Sequence, residues 1–190
     1  DIPQPPDTVL RVPSDPLGLA YKDEHASHVI LNDKTTPLQV TENVTAWREG
    51  GNSTWFLDSS HGHVIGDTVA GAYHTATVDA YRGALIEGRD QSTVTLHDNS
   101  RGAFSKDVRA TLHDYSVAVA EGQAVLFAGE KAHLTLHDQT TATLSGHATA
   151  SVIPGLMGSP RVFAGEASIV SVEPAKLSFA RHEMPVIALT

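Results

Sequence analysis

From Asp67 to Pro154 the chain divides into eleven unbroken octads: DTVAGAYH, TATVDAYR, GALIEGRD, QSTVTLHD, NSRGAFSK, DVRATLHD, YSVAVAEG, QAVLFAGE, KAHLTLHD, QTTATLSG and HATASVIP. Thr-Leu-His-Asp recurs at Thr95–Asp98, Thr111–Asp114 and Thr135–Asp138, separated first by two octads and then by three. The fourth position (Val78, Ile86, Val94, Leu126, Leu134) and the sixth (Leu96, Leu112, Leu136, Leu144, Val152) admit no charged residue, and the second is always small. These three positions share one parity, so an extended chain points them to one face. The eighth position holds Asp90, Asp98, Asp114, Asp138, Gly122 and Gly146 among others. Asp and Gly suit corners, because they bond the local backbone or tolerate positive φ.

Each octad therefore reads as a short strand and a corner with one buried face of small apolar residues. Such a unit cannot bury its face alone, but stacked copies share a continuous interior. The expected fold is all-β, a parallel β-solenoid (β-helix) rising about 4.8 Å per coil, with hydrogen bonds running between coils. A sandwich of hairpins would need paired turn signals and variable strand lengths. A coil can hold two octads or three. The narrow interior and the seventh-position series Tyr81, His97, His113 favour two, while the series Asp90, Asp114, Asp138 favours three. The lean is to two.

Outside the octads the pattern weakens. GNSTWFLD (51–58) and SSHGHVIG (59–66) read as degenerate octads, and the period fails before them. Asp15-Pro16 followed by LGLAYKDEHA has the cap and first-turn proline of a short helix that would close the first coil. DIPQPP reads as an arm. After Pro154, Gly155, Gly158 and Pro160 break the pattern, and RVFAGEASIVSVEP, KLSFAR and PVIALT read as strands that cap or leave the solenoid. The domain reading is an N-terminal arm and cap over 1–50, the solenoid over 51–154, and capping or exchanging strands over 155–190. The chain begins at Asp1 rather than Met, which reads as a processed product or excised segment.

Composition bounds the function. The chain has 190 residues, with 13 Lys+Arg against 22 Asp+Glu and a net charge of −9, which argues against a nucleic-acid phosphate binder. No apolar run approaches the ~18 residues of a membrane helix, so no membrane insertion is expected. With no cysteine there is no disulfide frame, thiolate nucleophile or cysteine zinc site. No nucleophile elbow, P-loop or dinucleotide fingerprint is present, and no cofactor is expected.

The octads, on columns such as Val94, Leu96, Asp98 and Val78, Ala80, resemble the Ser/Ala-x-Val-x-Ala-x-Asp/Gly repeats of octapeptide-repeat β-solenoid proteins of bacterial and phage surfaces or tails. That resemblance covers residues 67–154 and implies an extracellular, cell-surface or virion setting; it carries over no functional residue.

Four constellations could carry function. Histidine and carboxylate together are metal ligands. The pairs His97-Asp98, His113-Asp114 and His137-Asp138 sit at corners, and His61 and His63 alternate on one strand face beside Asp58 and Asp67. None completes a ligand set, so no metal is expected, with His61, His63, His113 and His137 as the alternative candidates. Outward Asp79, Glu87, Glu121 and Glu130 are candidate acids for glycoside cleavage, which needs two carboxylates at a defined separation. Thr93, Thr95, Thr141 and Thr143 form Thr-x-Thr pairs similar to those of ice-binding solenoids, and Tyr73 and Tyr81 could stack on sugars. Val117, Val119, Val125 and Phe127 are apolar at outward positions, which marks an interface. The reading is a non-enzymatic spike, fibre segment or adhesion module, expected to self-associate, with a carbohydrate or surface ligand as a further partner. The alternatives are a glycan-cleaving β-helix enzyme and an ice-binding protein.

Overall fold

A computed structural model describes Ile2, Gln4 and residues 10–12, 20–21, 28–31, 38–51, 53–155, 158–173 and 186–189. Successive strands alternate between an eleven-stranded sheet, here sheet one, and a ten-stranded sheet, sheet two, and every strand pair is parallel. This is a β-solenoid, with no helix among the described residues. Thr93 pairs with Arg109 and Leu85 with Arg101, so one coil holds two octads and each octad supplies one strand to one sheet. Coil-to-coil bonds are regular, as in the N–H of Thr93 donating to the carbonyl of Ala76 at 2.9 Å.

The columns close the interior as their parity dictates. Positions two, four and six are buried from Thr68 to Val152, and Leu96, Leu112, Leu126, Leu134 and Leu136 are inaccessible to solvent. Large side chains are accommodated by small neighbours. A Cβ on Gly102 would collide with the ring of Phe104, and one on Gly62 with the ring of Phe56. Two buried hydroxyls of the second column bond the preceding corner. Ser116 Oγ donates to the His113 carbonyl at 2.6 Å and Thr68 Oγ1 to that of Ile65 at 2.9 Å.

Corners are built on one backbone state. Every eighth residue from Glu42 to Gly146 has a positive φ, between 54° and 73°. That conformation costs an ordinary L-residue roughly 1–2 kcal/mol, which is why Asp and Gly recur there. Acidic side chains add a second function at one edge. The N–H of Arg82 donates to Asp98 Oδ2 (3.1 Å), that of Asp98 to Asp114 Oδ2 (3.0 Å) and that of Asp114 to Glu130 Oε2 (3.0 Å). Each carboxylate thus satisfies a corner amide one coil away, and the bond from the Asp98 amide holds Asp114 below the usual carboxylate range.

Three expectations are corrected at the ends of the repeat. The period does not fail before residue 51: Leu38 pairs with Thr54 and Thr45 with His61, both at the regular two-octad offset. The octad NVTAWREG (43–50) was hidden because Arg48 occupies its inward sixth position, where it is fully buried. In the stretch read as a capping helix, Ala20–Tyr21 is a strand of sheet two paired to Gln39 and Val40; the neighbouring residues of that stretch lie outside the described residues. The break after Pro154 is a four-residue insertion. Thr141 pairs with Arg161, four positions beyond the regular offset, and the chain between them carries a small bridge from Gly155 to Gly158. Beyond it, Arg161–Ala164, Ile169–Val172 and Val186–Leu189 continue the two sheets, whereas KLSFAR falls outside the described residues.

Candidate functional site

Two outward constellations stand out, one on each sheet. On sheet one, strands His61–Ile65 and Thr77–Tyr81 are neighbours, with His61 opposite Thr77 and His63 opposite Asp79. Alternation points His61 and His63 to the same outward face, and Gly62 between them leaves room inside for Phe56. The coil register then delivers Asp79 beside both imidazoles. Asp79 Oδ2 lies 2.9 Å from His61 Nε2 and 3.5 Å from His63 Nδ1. One ligand atom from each of the three residues lies within 4.8 Å of the others.

This cluster is sheltered. Trp47, one coil earlier and opposite His63, stacks on it with centroids 5.0 Å apart, and the His61 ring covers it at 4.5 Å. The His63 side chain is only 8% exposed, and its Nδ1 is buried with no hydrogen bond. Burial, and then the charge of His61, lower its pKa against the pull of Asp79, which favours the neutral imidazole. For Asp79 burial acts upward, but hydrogen bonds from His61 and Thr95 and the charge of His61 overcome it and hold the carboxyl below its usual value.

On sheet two, Trp55 and Tyr73 lie over Gly71. A Cβ there would collide with the Tyr73 ring and approach Trp55 Cδ1 to 3.0 Å. Tyr73 Oη donates to Glu87 Oε2 at 3.2 Å, and Arg89 pairs with Glu87 Oε1 through Nε at 2.6 Å. Burial and then Glu87 raise the Tyr73 pKa, so the hydroxyl remains a donor. A shallow groove of about 290 Å³ runs between Gln39, Trp55, Leu57, Tyr73 and His74.

The remaining candidates are dispersed. Thr93 and Thr95 share sheet one with Thr141 and Thr143, but Arg109, Val125 and Phe127 stand between them. Tyr81 is buried and stacked on His97, so its ring is no open platform. His113 stacks on His97 at 5.0 Å, while His137 lies on sheet two and does not join them. Asp79 and Glu87 face away from each other on opposite sheets and do not form a pair of acids. Glu130 caps the Asp114 amide. Val117 and Val119 are on sheet two, Val125 and Phe127 on sheet one, so the four do not make one patch; consecutive octads always alternate faces.

Sequence reasoning missed Asp79 as the partner of His61 and His63, although a two-octad offset from His63 points to it. It also missed Trp55, whose octad carries the polar Thr54 in the inward, otherwise apolar fourth position. No protein-family model, curated protein or solved structure matches the chain.

Proposed function

We propose that this chain is a non-enzymatic, rigid β-solenoid module, a spike, fibre segment or adhesion domain of a cell surface or virion, that binds carbohydrate on sheet two. The observation that carries this reading is the pair Trp55 and Tyr73 laid over Gly71 beside the Glu87–Arg89 ion pair. Sugars present apolar C–H faces and hydroxyl edges. An aromatic surface flanked by a few fixed donors and acceptors matches both. The solenoid supplies rigidity, since each coil is hydrogen-bonded to the next through both sheets; Trp55 and Glu87 stand on strands, and Tyr73 and Arg89 each directly follow one.

The test is a glycan array with the full chain, followed by titration of its best ligand by calorimetry. Saturable binding that Trp55→Ala abolishes, and Trp47→Phe on sheet one does not, supports the reading. Absence of any glycan ligand, or binding that survives Trp55→Ala and Tyr73→Ala, overturns it. Release of new reducing ends from the bound glycan would instead establish a glycan-cleaving enzyme.

A further inference from the structure

We propose that His61, His63 and Asp79 bind a divalent transition metal, zinc being the ion that fits three such ligands most simply. Two imidazoles and one carboxylate are a donor set suited to this class of ion. Donors on a tetrahedral zinc lie about 3.3 Å apart, given bonds of ~2.0–2.1 Å. The three side chains already bring ligand atoms within 4.8 Å of one another, with Asp79 Oδ2 at 2.9 Å from His61 and 3.5 Å from His63.

A simple histidine–carboxylate hydrogen bond explains His61 and leaves His63 unexplained. Its Nδ1 is buried, faces Asp79 and makes no hydrogen bond, although a buried polar atom without one costs about 1–3 kcal/mol. A metal ion shared with Asp79 would satisfy it. The second layer is also in place. Thr95 stands opposite Asp79 on the following coil and on the same outward face, the place of a positioning residue beside a metal ligand. Trp47 covers the far side of His63, and the more exposed His61 leaves a fourth coordination position open to water.

The experiment titrates the chelator-treated full chain with zinc chloride by calorimetry, and with cobalt chloride by visible absorption. One ion per chain, a higher melting temperature and the intense cobalt bands of four-coordinate geometry are expected. His61→Asn and Asp79→Asn should each weaken zinc affinity at least tenfold, and Thr95→Val about tenfold through the carboxylate it positions. His147→Gln, an exposed histidine elsewhere, should change nothing. Because His61 is the least buried of the three ligands, its variant is expected to fold, as circular dichroism would check. No saturable binding by the parent chain overturns the proposal, as does undiminished binding by folded His61→Asn and Asp79→Asn. Loss of zinc binding would leave glycan binding at Trp55 untouched, so the two readings fail separately.

Discussion

The ring of Tyr81 lies parallel to that of His97, one coil further on, with centroids 4.6 Å apart and planes within 2°. His97 stacks in turn on His113 at 5.0 Å. All three occupy the seventh position at two-octad intervals, so the coil rise sets the spacing and the sequence only has to supply flat side chains. The stack also places two imidazoles where a proton on one disfavours a proton on the other.

Stability should therefore fall on mild acidification. His97 titrates below its usual value because of burial and then the charge of His113, opposed by Asp79, Asp114 and Asp98; Tyr81 faces it from the other side. The native state then binds fewer protons than the unfolded chain, so this contribution is complete above the unfolded value of about 6.5 and is lost as pH falls through the lower native value. Thermal melts between about pH 8 and pH 5 should show a decline that His97→Gln reduces. An equal decline in both proteins would remove His97 from the account.

Register can be tested by charge. Leu112 and Leu136 point inward with no exposure, whereas Thr135, one residue before Leu136, points outward. Leu136→Asp or Leu112→Asp buries a carboxylate without a partner and should cost several kcal/mol, enough to unfold a domain of ordinary stability. Thr135→Asp should change the melting temperature little. Equal behaviour of Thr135→Asp and Leu136→Asp would contradict the inward assignment.

The second-column hydroxyls divide in the same way. Ser92 Oγ and Ser100 Oγ are buried without a hydrogen bond, while Ser116 Oγ bonds the His113 carbonyl. Removing an unbonded buried hydroxyl removes a desolvation penalty, so Ser92→Ala and Ser100→Ala should leave stability unchanged or raise it. Ser116→Ala should cost about 1 kcal/mol. Denaturant titration of the three variants checks the order.

Most of the fold was legible because an interior two strands thick leaves no choice of register. A one-residue slip would turn every inward Leu outward, so the fourth and sixth columns stay apolar through Val152. What the columns could not report was anything that broke their rule. Arg48 masked an octad, and a four-residue insertion ended the count although the coils continue. The sites depended on which residues share a face, and that required the coil length. With two octads per coil His63 meets Asp79, whereas with three it would meet Glu87.

Self-association, if sheet two carries it, should respond to one face only. Among the described residues, sheet two exposes Val117 and Val119 side by side on one strand, Val119 at 45%. Sheet one exposes Phe127 at 53% and Phe163, but Thr143 separates them along the column. Covering large apolar side chains contributes about 1.5–3 kcal/mol each when burial is complete, and a flat sheet can meet an identical one about a two-fold axis. A contact there would leave Trp55 and Tyr73 free at the other end of the sheet. The net charge of −9 opposes association, but salt screens it beyond roughly 8 Å. Light scattering of the parent should give a dimer, and Val117→Glu with Val119→Glu should give the monomer mass, while Phe127→Glu leaves the dimer intact. A monomeric parent, or a dimer that survives the paired substitution, would show that sheet two is not the contact.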